Sequence, residues 1–272
     1  MRMRLLLFCC ILFPAVSIGQ YANFKSRSEI GLMIGGANYI GDLNPFKPYY
    51  NIQPAVGLIY RYMIHPRLSF RANATAGWVG ASDADAENPL LVNRNLSFRS
   101  YIMEVGAGVE FNYFPFQLGH SKYKGTAYLL AELAVFRMNP QMNIDGEWYD
   151  LRPLGTEGQG SSLNSKAPYS LTQVSVPLGI GCKLSLGRKA SLSFEYGIRK
   201  TFTDYIDDVG SDAYVDPVQL GAENGPLAAY VSNRSLNGSR YGKRGTSATK
   251  DWYSFFGMMV AFRIGSPNKC FY

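Results

Sequence analysis

Between residues 29 and 264 the chain alternates apolar and polar positions in eight successive stretches. In the run from Ala190 to Arg199, Leu192, Phe194, Tyr196 and Ile198 point one way. Ser191, Ser193, Glu195, Gly197 and Arg199 point the other, because side chains alternate across a strand. The pattern predicts strands over 29–39, 52–64, 67–80, 98–114, 126–138, 169–186, 189–205 and 252–264. The fifth is the least regular, with apolar residues on both faces around Glu132. Pro54 and Pro177 fall within strands, where each removes a ladder donor and predicts a bulge or a local gap.

The polar faces carry full charges. The expected inward set is Glu29, Arg61, Arg71, Glu104, Glu110, Glu132, Lys183, Glu195, Arg199 and Arg263, five acids against five bases. A dry core cannot hold such groups unpaired, so the apolar faces are expected to look outward into lipid. The fold class that follows is all-β, an eight-stranded antiparallel transmembrane β-barrel with long extracellular loops. A barrel of that size is just wide enough to be filled by its own side chains. Balanced charges in it should pair, since each unpaired buried ion costs several kcal/mol. The expected interior is therefore a structural plug, with an ion or proton path as the alternative use of the same charges.

Connection lengths add an orientation. Tight turns at His65-Pro66 and Gly187-Arg188 and a medium link over 115–124 alternate with longer loops, the longest being 139–168 and 206–250. Short links at one rim and long ones at the other match periplasmic turns and extracellular loops, and an even strand number leaves both termini periplasmic. Residues 1–19 read as a signal peptide: Arg2 and Arg4, an apolar run, then small residues before Gln20. Residues 20–272 read as one barrel domain in the cell outer membrane. No later stretch reaches eighteen consecutive apolar residues, but a transmembrane strand needs only about 9–11.

Composition refines this picture. Hydrophobic residues make up 47% of the chain, yet the mean hydropathy is −0.09 because they are interleaved with polar ones. Nineteen tyrosines and sixteen phenylalanines suit strands and interfacial girdles, with Trp78, Tyr101, Tyr205, Trp252 and Tyr253 expected there. The net charge of +7 points to an acidic partner or anionic headgroups, and export makes nucleic acid an unsuitable partner. Cys182 and Cys270 are not expected to pair. The two histidines, His65 and His120, both fall in short-rim connections, away from where a rim enzyme would need them. No G-x-S-x-G, H-E-x-x-H or P-loop pattern is present, so no catalytic, cofactor-binding or metal-ligating residue is expected. The cluster Asp204, Asp207, Asp208, Asp212 and Asp216 lacks EF-hand spacing and reads as a solvated, turn-forming loop base in preference to a calcium site.

Three stretches carry a family likeness. EIGLMIGGANYIGDL from Glu29 resembles the opening strand of the PorG family of Bacteroidetes outer-membrane barrels. YGIRKTFTDYIDDV from Tyr196 resembles that family's seventh strand and following loop, and KDWYSFFG from Lys250, preceded by Arg244-Gly245, its closing strand. The resemblance implies a non-enzymatic accessory or anchoring part in type IX protein secretion, which in some members of the phylum supports gliding motility. It also implies association with the periplasmic ring of the lipoprotein PorK and PorN. A ring partner would meet the short-link face, where the candidate contacts are Gln117, Lys122, Lys124, Lys269 and Cys270. The alternative is a surface barrel that binds an external ligand through its long loops and has no secretion role.

Overall fold

The computed structural model describes residues 27–45, 47, 49–211, 213–238 and 243–264. The expected signal peptide, Asp212, Lys269 and Cys270 lie outside the described residues. Ten strands form, in chain order β1 (Arg27–Ile40), β2 (Gln53–His65), β3 (Leu68–Ser82), β4 (Ser97–Asn112), β5 (Gly125–Arg137), β6 (Pro140–Ile144), β7 (Glu147–Asp150), β8 (Thr172–Leu186), β9 (Ala190–Thr201) and β10 (Trp252–Ile264). Among the described residues, three short α-helices sit in the long loops: α1 (Pro89–Arg94), α2 (Pro217–Asn224) and α3 (Pro226–Ser232).

Eight of these strands make the wall. Each pairs antiparallel with its neighbour, and β1 pairs with β10 from Ser28↔Ile264 to Ile40↔Trp252, so the sheet closes on itself. Closure leaves no free edge, which is the condition for a β-structure to sit in hydrocarbon. The outward side chains are apolar and bare: Leu133 is 73% exposed, Ile34 69% and Val105 67%. Water would make so continuous an apolar face unstable, whereas lipid requires it. The chain is a transmembrane β-barrel of eight antiparallel strands. At the long-loop rim the Trp78 and Tyr101 rings meet at a tilt, 4.9 Å apart, and the Arg99 guanidinium lies between the Trp78 and Trp148 rings at 4.8 and 3.4 Å.

Several details depart from the pattern-based expectation. The seventh wall strand ends at Thr201; Phe202 is still exposed, and from Thr203 and Asp204, both buried, the chain joins the folded loops. The β6–β7 hairpin occupies part of a connection with no predicted strand, and it extends β4 through Arg99↔Gln141. Tyr253 is buried inside the barrel and Tyr205 is half-buried under the loops, so neither belongs to a lipid-facing girdle. At Pro177 the β5–β8 ladder skips from Ala131↔Leu178 to Ala134↔Ser175 without changing register, a local gap and not a bulge.

The interior has zones. Towards the long loops it is apolar, with Tyr39, Phe98, Ile102, Phe136, Tyr253 and Phe255 continuous with Leu43, Leu151, Ile206, Val209 and Val231 of the loops. Next comes a charged layer, and the short-link end is closed by a small cluster of Met63, Phe116 and Leu118. Strand β5 crosses all of this, so Tyr128, Leu130, Glu132 and Phe136 all face inward and blur its alternation.

The closing seam depends on Gly35 lying opposite Gly257. A Cβ on Gly35 would stand 1.9 Å from the Phe256 carbonyl oxygen and 2.5 Å from the Gly257 Cα. Both obstacles are backbone and cannot rotate away. Gly35→Val is expected to destabilise the folded barrel by about 3 kcal/mol or more, as overpacking against fixed atoms does. Lipid-facing Ile34→Val should cost less than about 1 kcal/mol. Denaturant unfolding in detergent, followed by the folded barrel's shifted electrophoretic mobility, measures both.

Candidate functional site

Nine of the ten charged residues expected inside lie buried within the wall. Glu110 is the hub: Arg61 Nε donates to its Oε2 at 2.8 Å, Lys183 Nζ donates to Oε1, and Arg71 Nη1 stands 3.7 Å from Oε2. Arg71 reaches further, with Nη2 donating to Glu195 at 2.8 Å and Nε 3.1 Å from Glu132. Tyr128 donates to Glu195 at 2.7 Å and Asn73 donates to Glu132. Nearer the long loops, Arg199 pairs with Glu104 at 3.2 Å, and Tyr253 donates to the same carboxylate at 2.7 Å. Glu29 lies 3.8 Å from Arg61 and accepts from Ser191 at 3.1 Å. Arg263 is half-buried and faces Glu29 across the β1–β10 ladder. The fully buried set is thus five carboxylates against four cations. These side chains bond to each other across the lumen.

Above it, the long loops fold into a cap with a polar core of its own. Arg94 holds Asp83 in a bidentate pair, both bonds 2.7 Å, and donates to the carbonyls of Arg244 at 2.6 Å and Asp42 at 2.9 Å. Arg244 pairs with Glu157 and donates to Thr156 Oγ1 at 3.1 Å and to the Asp208 carbonyl at 3.1 Å. Glu157 also accepts from the Gly210 and Ser211 amides, each at 3.0 Å. Asp208 takes a left-handed backbone, φ 66°, which an aspartate tolerates better than most residues, and accepts from Tyr169 at 2.6 Å and from Thr156.

The third anchor is Tyr39, whose hydroxyl lies 2.6 Å from Asp207 Oδ2 and 2.8 Å from Asp251 Oδ1. A phenol has one proton to give, so it can donate fully to only one of these carboxyls at a time. Burial pushes both upward, helped for Asp207 by the facing Asp251 carboxylate. Burial also raises Asp204 and Asp208 to about 6, the latter in spite of Arg244 beside it.

These observations correct the expected solvated loop base: Asp204, Asp207 and Asp208 are buried. Asp216 is half-exposed and caps α2, accepting from the Val218 and Gln219 amides at 2.9 and 3.0 Å. Among the described residues no group of His, Cys, Asp and Glu is arranged to hold a metal ion. Pattern reading missed Asp42, Asp83, Arg94, Glu157 and Asp251. A usable signal was the apolar pair Ile206 and Val209 flanking Asp207-Asp208, since apolar neighbours within a loop mark it as buried.

The short-link end holds the described candidate contacts. Lys122 and Lys124 are exposed and Gln117 is half-buried, its amide bonded to the Tyr123 carbonyl at 3.1 Å. His65 and His120 use Nδ1 to accept local amides, from Arg67 at 3.2 Å and Lys122 at 3.1 Å. Cys182 is exposed on the outer wall. A broad concavity of about 1010 Å³, lined by Tyr49, Ile52, Leu129, Tyr196 and Phe256, also opens on that outer face, towards lipid and not the lumen.

Glu110→Ala is expected to lower the barrel's unfolding free energy by about 3–5 kcal/mol, because it leaves Arg61 and Lys183 uncompensated. Glu110→Met combined with Lys183→Met should recover part of that loss, as read from denaturant midpoints in detergent. The cap should respond to pH. Carboxyls raised on folding bind protons more tightly in the folded state, so their contribution is complete below about pH 4 and declines as pH rises through about 6. Hydrogen exchange at the Ile206 and Val209 amides, which donate to Asp251 and Asp207, is the check. Corrected for intrinsic rates, protection should be greatest in acid; protection that grows towards pH 7 would contradict the reading.

No functionally curated protein matches the chain. Among solved structures, the attachment invasion locus protein Ail of Yersinia pestis, in complex with the heparin analogue sucrose octasulfate, is similar with 10% identity and a TM-score of 0.42, covering 89% of this chain and 100% of its own. Neisserial surface protein A shows 11% identity and a TM-score of 0.44, with 88% and 99% covered. The outer membrane protein OprG of Pseudomonas aeruginosa shows 10% identity and a TM-score of 0.37, with 89% and 95% covered. The model of a domain of unknown function (DUF6089) matches residues 4–272, and the chain belongs to that family.

Proposed function

We propose that this barrel is an integral outer-membrane protein without enzymatic activity, acting as an accessory or anchoring component of type IX protein secretion. Its termini and short links face the periplasm and its folded cap faces outward. The observation that carries the mechanical half of this reading is the bonded lumen: Glu110 with Arg61 and Lys183, and Glu104 with Arg199, fill the cross-section. A barrel plugged in the middle and closed at both ends works through its rims and not as a conduit.

The secretion half rests on the PorG-like stretches at Glu29, Tyr196 and Lys250. The first and last of these build the β1–β10 seam, and the second supplies Asp207 and Asp208 of the cap. The periplasmic ring of PorK and PorN is the partner this reading assigns, met at the short-link end by Gln117, Lys122 and Lys124, with Lys269 and Cys270 of the tail as further contacts.

Amine-reactive crosslinking in intact cells is expected to join Lys122 or Lys124 to a ring subunit, and Lys122→Arg with Lys124→Arg to abolish that product. Deletion of the gene is expected to strand cargo in the periplasm, measured by immunoblot of culture medium against periplasm. Normal export in the deletion strain would refute the secretion role. If adhesion or envelope resistance were lost instead, the result would favour ligand binding through the long loops.

A further inference from the structure

The two rims differ in charge. At the short-link end Arg67, Lys122, Lys124, Arg188 and Lys189 are all exposed. The carboxylates of the adjoining strand ends, Glu29 and Glu110, are 1% and 0% exposed and turned into the lumen. Among the described residues, that rim presents no exposed Asp or Glu, and none of the five cations is in an ion pair. The cap is mixed: Asp85, Glu87, Asp145, Glu147, Asp150 and Glu223 are exposed beside its own lysines and arginines.

The cations share one rigid platform. The Phe116 amide donates to the Pro66 carbonyl at 3.0 Å, tying the link over 113–124 to the β2–β3 turn. The Gly119 amide donates to Ser185 Oγ at 3.0 Å, and the Ser185 amide to the Lys124 carbonyl at 2.7 Å, tying the same link to the β8–β9 turn. The Arg263 backbone amide closes the set by donating to the Lys189 carbonyl at 2.8 Å. Phe116 and Leu118, 0% and 3% exposed, pin the link from beneath.

The platform also sits at a defined depth. Arg67 immediately precedes lipid-facing Leu68, and Arg188 follows Leu186 by two residues. Tyr113 and Phe114, 66% and 56% exposed, mark the outward face where the β4–β5 link leaves the wall. At roughly 3.3 Å per residue, the backbone of the two turns lies within about 7 Å of the last lipid-facing side chains. Long basic side chains starting there end among headgroups, with their methylenes over the hydrocarbon edge.

We infer that the short-link rim is a binding surface for anionic phospholipid headgroups of the leaflet it adjoins, engaged by Arg67, Lys122, Lys124, Arg188 and Lys189 together. This requires only that the barrel spans a membrane; it shares Lys122 and Lys124 with the ring contacts proposed above, and the test below is made on the barrel alone, without the ring.

The test reconstitutes the full chain in phosphatidylcholine bilayers and compares the association of spin-labelled phosphatidylglycerol and phosphatidylcholine by electron paramagnetic resonance. The wild type should favour the anionic lipid by about fivefold, the gain one basic side chain makes at an anionic surface. Raising salt to about 1 M, where the Debye length is about 3 Å, should bring the ratio towards one. The quadruple variant Lys122→Gln, Lys124→Gln, Arg188→Gln, Lys189→Gln, which keeps only Arg67 of the five, should show a clearly lower ratio without added salt. Arg137→Gln with Lys200→Gln, outward cations near the opposite rim, should keep the wild-type ratio. Equal association of both lipids with the wild type would overturn the inference, as would a preference that salt leaves unchanged or that both variants lose equally. Salt-sensitive retention of poly-glutamate in the absence of any lipid preference would also overturn it, in favour of an acidic protein surface. The salt series on the wild type decides the matter even if the quadruple variant does not fold.

Discussion

Glu110 sits where lipid cannot solvate it, on an inward position of a wall whose outer face meets hydrocarbon. Its partners come from different strands: Arg61 on β2, Arg71 on β3 and Lys183 on β8, brought together only when the sheet has closed. The buried ion layer therefore depends on closure. An open sheet would leave these groups facing water on one side and lack their partners on the other. Replacing such a layer with apolar residues is often neutral for stability. What the charges add is register, because a strand slipped by one residue would turn its ions into lipid.

The same closure positions the cap. Tyr39 is near the end of β1, Asp251 immediately precedes β10, and these two strands form the closing seam, where Tyr39 pairs with Tyr253. Asp207 comes from the loop after β9, so the hydroxyl bridge of Tyr39 joins both seam strands to the longest loop. Sealing the wall and covering the mouth are thus one event in space, although Tyr39 lies 168 and 212 positions from its two partners in the chain. Burial raises both carboxyls of that junction and makes it sensitive to acidity, while the bidentate Arg94–Asp83 pair elsewhere in the cap uses a cation that does not titrate.

The wall was legible because its rule is local. Period-two alternation placed all eight strands, and the charged positions on one face, with bounds in error by a few residues. The cap was not legible, because its rule is not local. Arg94 meets the Arg244 carbonyl 150 positions away, and Arg244 meets Glu157 across 87. No spacing in the chain announces such pairs. The Asp204–Asp216 cluster misled for the same reason: aspartates that would be turn formers in an open loop become network members once Ile206 and Val209 draw that loop inward. Tyr253 misled differently, since a tyrosine near a strand end fits a girdle as well as a lumen, and only the partner Glu104 decides.

The two ends are closed by unlike means. The cap rests on an apolar core and a buried polar network contributed by four loops, whereas the short-link end rests on Phe116 and Leu118 from one link packed against Met63. A cap built from distant segments can be remodelled by changing any loop without touching the wall, since each loop leaves the barrel at its own strand ends. The short-link end has less such freedom: two of its turns are two and three residues long, and its longer link over 113–124 is hydrogen-bonded to both of them. What remains variable there is the chemistry of the side chains that project from it, and in this chain those are basic.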